Sequence, residues 1–142
     1  AFNKFKLKNM KNDCELISKK NKINFIWNSK FPISSLYIMR GYLVIKENKK
    51  KEYLDTFFNA YWQNDLDLSL EKNIIQLLES LNINHKKFFK DITKKEIKDE
   101  LKNFTDEAFK KDIFGAPTFV VNNKIFWGQD RLKYALDELK NI

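Results

Sequence analysis

The sequence predicts a mostly helical α/β chain, with helices to about residue 112 and a strand, hairpin, strand and helix over 113–142. Three observations predict it. Three Gly and two Pro in 142 residues leave few turns, too few for a sandwich or barrel of short strands. Apolar residues recur at three- and four-residue spacing from residue 4 to about 111. The pattern then switches to a compact β-prone run, Thr118-Phe119-Val120-Val121, answered by Lys124-Ile125-Phe126-Trp127.

Taken in order, residues 4–20 place Phe5, Met10, Cys14, Leu16 and Ile17 at helical spacing among lysines and acids. Residues 22–32 are aromatic and irregular, closed by Pro32, and predict an extended connection. Ser34 and Ser35 can cap a helix carrying Leu36, Met39, Tyr42, Leu43 and Ile45. The polar run 46–52 predicts an exposed helix end and turn. Tyr53, Leu54, Phe57, Phe58, Tyr61 and Trp62 then make an aromatic helical stripe, whose ordinary use is core packing. After a turn over 64–67, Ser69 is placed to cap a helix with Ile74, Ile75, Leu77, Leu78 and Leu81. A short helix follows over 85–91. Thr93 and Glu96 fit a capping box for a longer helix with Ile97, Leu101, Phe104, Ala108 and Phe109, ending near Lys111. In the last thirty residues Asn122-Asn123 suits a tight hairpin turn, Gly128 breaks the return strand, and a helix runs from Gln129.

Composition narrows the function classes. At 43% hydrophobic and 15% aromatic, with 13 Phe, the chain has the material for a packed core. No apolar run approaches the ~20 residues of a membrane span, and no signal-peptide core is visible, which predicts a cytoplasmic protein. The charge is +8, from 27 basic and 19 acidic residues, but only Arg40 and Arg131 are Arg. Lysines scattered along the chain predict a solvated surface, with neither nucleic acid nor membrane as partner. Cys14 and His85 each stand alone, so these residues hold no internal disulfide, no CxxC pair and no His/Cys metal set.

A proline immediately before a strand, then a hairpin and a helix, is the pattern of the C-terminal half of a thioredoxin fold. The run IFGAPTFVVNNKIFWGQDRL (113–132) resembles the C-terminal signature of the 2-hydroxychromene-2-carboxylate isomerase and kappa-class glutathione transferase family, a branch of the DsbA-like thioredoxin group. Upstream, KFPISSLYIMRG (30–41) is similar to that family's "FP…S…AMR" helix, and Trp62 to its helical-domain Trp. The resemblance implies a thioredoxin-like α/β fold with a large all-helical insertion: residues 1–112 as the insertion and 113–142 as the C-terminal part of the thioredoxin-like domain. The family's first β-α-β unit has no counterpart here. The chain begins at Ala1, so it is expected to be an N-terminally truncated piece of a longer protein.

What the family does sets the functional expectation. It uses glutathione, an extended tripeptide with a γ-glutamyl amine and carboxylate at one end, a central thiol and a glycine carboxylate at the other. The resemblance implies a cis bond between Ala116 and Pro117, turning the Ala116 backbone outward to pair with the cysteinyl amide. It places Gln129 and Asp130 at a helix start, where a carboxylate is favoured, with the Asp130 side chain against the γ-glutamyl ammonium. Lys6 falls where the family has a lysine facing the glycine carboxylate, if Met10 and Asp13 align with its "YM…D" helix. Arg131 is expected in a structural ion pair; Trp127 could border an aromatic substrate, with core packing as its expected job.

The resemblance thus implies a glutathione-dependent isomerase, or a kappa-like glutathione transferase, acting as a homodimer on a small aromatic or electrophilic substrate. The family's catalytic serine sits in an "S-P-x-x-Y" turn that these residues lack, so no catalytic residue is assigned. Two rivals stand beside this reading. A DsbA-like disulfide oxidoreductase would need a CxxC outside these residues. A non-catalytic basic helical binding module would let the charge do the work.

Overall fold

The computed structural model describes residues 3–140. Six helices come first: α1 (Lys4–Asn21), α2 (Leu36–Val44), α3 (Glu47–Trp62), α4 (Glu71–Ser80), α5 (His85–Ile92) and α6 (Lys95–Lys110). Strands β1 (Thr118–Val121) and β2 (Lys124–Trp127) follow, then a 3-10 turn over Gln129–Arg131 and α7 (Leu132–Lys140). The chain divides into two compact units, and the division falls inside α6, between Ile97 and Lys98.

The core of the first unit is built on the aromatic stripe. Tyr53, Phe57, Ala60 and Tyr61 share one face of α3 and are buried with Ile74 and Leu78 of α4 and Phe88 and Ile92 of α5. The helix α2 crosses α5 at Gly41, where a Cβ would lie 2.5 Å from the Phe88 ring and would also meet the Tyr53 hydroxyl. Only glycine permits that approach. The Tyr53 hydroxyl donates to the Ile38 carbonyl at 3.0 Å, and burial pushes its pKa well above the ordinary phenol range, so it remains a donor.

The expected extended connection is held by one buried polar residue. Asn28 donates through Nδ2 to the carbonyls of Tyr61 (2.9 Å) and Leu66 (3.1 Å) and accepts from the Lys30 N–H (2.8 Å). The Ile26 N–H donates to the Trp62 carbonyl at 2.7 Å. Around Trp62 stand Phe25, Trp27 and Phe31, with ring centroids 5.7, 5.9 and 6.0 Å away.

Four local expectations are corrected. The run 46–52 is not a turn: from Glu47 onward it forms the first turns of α3, because good helix formers are joined there by Lys50–Glu47 (2.8 Å), Lys49–Glu52 (3.2 Å) and Lys51–Asp55 pairs. Ser35 precedes α2, but its side chain makes no capping bond. Leu70, not Ser69, is the residue before α4. Asp67 holds Ser69 instead, accepting from its N–H (3.0 Å) and its hydroxyl, and these bonds keep the Asp67 carboxyl below its usual range. Thr93 closes α5 rather than opening α6, its hydroxyl donating to the Lys90 carbonyl at 2.7 Å.

In the second unit β1 and β2 pair antiparallel, with Thr118 opposite Trp127 and Val121 opposite Lys124. Asn122 and Asn123 take φ of 51° and 58°, the left-handed pair that a two-residue hairpin turn needs. The helix α7 lies against β1 and buries Ala135. Glu138 of α7 accepts from Lys124 Nζ (2.9 Å) and Asn122 Nδ2 (3.2 Å), which lowers its pKa and ties the turn to the helix. On α6, Phe104 and Phe109 of the expected stripe are exposed.

Candidate functional site

Of the residues expected to hold glutathione, four come together at one end of the hairpin. The peptide bond between Ala116 and Pro117 is cis, and both residues are exposed. The Gly128 N–H donates to the Pro117 carbonyl at 2.9 Å, closing the hairpin end and bringing Gln129 and Asp130 next to the proline. Among the described residues, no hydrogen bond engages the backbone of Ala116. Gly128 has φ of 109°, and a Cβ there would lie 2.6 Å from Asp130 Oδ1: the carboxylate folds back over the glycine. A side chain at residue 128 would displace it.

Arg131 reaches that carboxylate, with Nη1 3.1 Å from Asp130 Oδ2, and its guanidinium also lies 5.6 Å from the Tyr134 ring centre. Both members of the ion pair are at least half exposed, so the pair is weak and leaves the carboxylate other lone pairs for a second cation. Lys6 stands exposed on α1, in the first unit.

Trp127 departs from its expected core role, being 53% exposed. Its indole lies over Gly115, where a Cβ would fall 2.5 Å from Nε1, and its ring centre is 4.9 Å from that of Phe114. An exposed aromatic pair therefore flanks Ala116.

The remaining reactive side chains read as structural. The Cys14 thiol is half-buried; burial first, and Asp13 and Glu15 after it, push its pKa up and keep it protonated. His85 Nδ1 faces Glu79 at 3.2 Å. No group of three His, Cys, Asp or Glu side chains among the described residues could hold a metal.

One feature escaped sequence reasoning. A cavity of about 450 Å³ opens in the first unit between the 31–38 segment and α3. The aromatic stripe reads as core, yet it has two faces: Phe57 and Tyr61 are buried, whereas Leu54 and Phe58 are exposed at the cavity. The signal was the doublet spacing, 53/54, 57/58 and 61/62, which is wider than one buried face of a helix.

Residues 2–140 match the family model of the DSBA-like thioredoxin domain. Over 80 residues, 56% of the chain, the sequence is 28% identical to a 2-hydroxychromene-2-carboxylate isomerase of Pseudomonas sp. (strain C18). The chain spans 38% of that relative's length. Among solved structures, a 2-hydroxychromene-2-carboxylate isomerase superposes with a TM-score of 0.82 at 22% identity, over 97% of this chain and 68% of the other. The fold is thus thioredoxin-like, and with nearly all its residues inside the matched region the chain belongs to the DSBA-like thioredoxin domain family.

Proposed function

We propose that the protein acts as a glutathione-dependent isomerase of the 2-hydroxychromene-2-carboxylate isomerase type, with a kappa-like glutathione transferase as the neighbouring reading. The observation that carries the proposal is the meeting of Ala116, Pro117, Gln129 and Asp130 at the hairpin end, in a chain similar to proteins of that name. Bound glutathione would supply a thiol that adds to an unsaturated substrate and leaves unchanged. The free N–H and C=O of Ala116 offer a strand-like pair to an extended peptide. The Asp130 carboxylate is the counter-charge for the γ-glutamyl ammonium. Gln129, at the start of the turn that leads into α7, offers its amide to the neighbouring carboxylate. The aromatic pair Phe114 and Trp127 borders the substrate. No residue of these 142 is assigned the activation of the thiol. On this reading the protein is a cytoplasmic homodimer; among the described residues no helix is long and apolar enough to cross a membrane.

Calorimetric titration with glutathione tests it. Asp130→Ala is expected to weaken binding about tenfold, the size of one charge-assisted contact. N-acetylation of the γ-glutamyl amine should weaken wild-type binding equally and cost nothing further in the variant. Equal binding by Asp130→Ala and wild type would remove Asp130 from the site, and no binding by the wild type would end the glutathione reading.

A further inference from the structure

The cavity in the first unit has a chemistry of its own. Its walls include Phe31, Ile38, Phe57 and Trp62, and exposed Met39 and Phe58 stand at its opening. None of the lining residues is charged: apart from Ser35, the two tyrosine hydroxyls, the Trp62 indole N–H and the Met39 thioether, the lining side chains are hydrocarbon and aromatic ring. Beside the lining residue Tyr42, Lys50 lies 5.0 Å from the ring centre and is paired with Glu47 at 2.8 Å. A volume of about 450 Å³ lies within the range of ligand sites, which bury most of a drug-sized molecule.

Tyr61 adds a second, independent observation. The residue is only 7% exposed, lines the cavity, and its hydroxyl oxygen is buried with no hydrogen-bond partner. Burial, and then the charges of Asp67 and Asp65, raise its pKa, so the group is a neutral donor. An unpaired buried hydroxyl has lost its water without gaining a partner, a cost that a ligand acceptor would recover.

We propose that this cavity binds an uncharged, ring-bearing small molecule with one hydrogen-bond acceptor, taken by the Tyr61 hydroxyl. The site goes beyond the thiol-dependent reading, because it uses only residues of the first unit and binding requires no thiol. The lining itself holds no cation, so an organic anion has nothing there to pair with.

The test uses three fluorescent naphthalenes in 0.3 M NaCl, where screening weakens attraction to the basic surface. N-phenyl-1-naphthylamine is uncharged, 8-anilinonaphthalene-1-sulfonate is close to it in shape but anionic, and 6-propionyl-2-dimethylaminonaphthalene is uncharged with a ketone acceptor. The uncharged amine is expected to bind one per chain and at least tenfold tighter than the sulfonate. Phe58→Glu, at an exposed position, should weaken both uncharged probes at least tenfold, whereas Phe104→Glu in the other unit should change neither. Tyr61→Phe keeps the ring and should weaken the ketone about five- to tenfold without affecting the amine. The proposal is overturned if the sulfonate binds as well as the amine, if Phe104→Glu matches Phe58→Glu, or if Tyr61→Phe leaves the ketone unchanged. Because no glutathione is present, failure here leaves the Asp130 result standing, and the reverse holds.

Discussion

Asn28 is 1% exposed and serves three backbone groups at once, the carbonyls of Tyr61 and Leu66 and the Lys30 N–H. Truncation to alanine would leave those groups without the amide that pairs them. Asn28→Ala should therefore cost about 2–4 kcal/mol in denaturant unfolding, and Ser29→Ala, at an exposed neighbour, much less. Nothing in the sequence singles out this asparagine among the many along the chain, because its partners lie 33 and 38 residues away. Asp91 is the corresponding case for charge. Its carboxylate accepts from Lys87 and from Lys94 (2.8 Å), which lowers its pKa to about 2. An unfolded aspartate titrates near ~3.9, so the contribution is complete above about pH 4 and is lost as pH falls towards about 2. The stability gap between wild type and Asp91→Asn should be widest near pH 5 and close by about pH 2. A gap that is constant across this range would mean that the ion pairs do not stabilise the fold.

Whole elements were more legible than their boundaries. Seven helices and the hairpin occur where periodicity placed them, since spacing reports the buried face directly. Caps failed at Ser69 and Thr93, because a hydroxyl beside a helix can serve the carbonyl or carboxylate behind it as readily as the amide ahead. The hairpin turn succeeded because Asn-Asn has few competing uses between two β-prone runs. Both asparagines have positive φ, which costs an ordinary L-residue about 1–2 kcal/mol. Asn123→Ala should then lose about 1 kcal/mol while Asn123→Gly loses nothing, read as hydrogen-exchange protection of the Phe119 and Phe126 amides. Equal loss in both variants would place the stabilisation in the asparagine side chain instead of the backbone.

At the scale of the molecule, lysines scattered along the sequence conceal an uneven balance of charge. Residues 1–30 hold eight lysines against only Asp13 and Glu15, whereas residues 98–142 hold eight basic and eight acidic side chains. The structure shows the consequence. Lysines on α5, α6 and β2 meet carboxylates, as in Lys87–Asp91, Lys102–Asp106 and Lys124–Glu138. Among the described residues, no lysine of α1 has an acidic partner. Lys4, Lys8 and Lys11 follow one another at four and three residues, the spacing at which like charges on a helix repel. Neither the cavity nor this imbalance could be read from composition, which averages over the length along which charge and apolar surface are distributed. Self-repulsion of this kind lowers stability at low ionic strength and fades as the Debye length shrinks from about 30 Å at 0.01 M to about 8 Å at 0.15 M. The melting temperature should therefore rise by a few degrees between 10 and 150 mM NaCl. Lys8→Glu, exposed and flanked by Lys4 and Lys11, should raise it at 10 mM and shrink the salt response. A melting temperature that falls with salt would show that the ion pairs of the later helices outweigh the repulsion along α1.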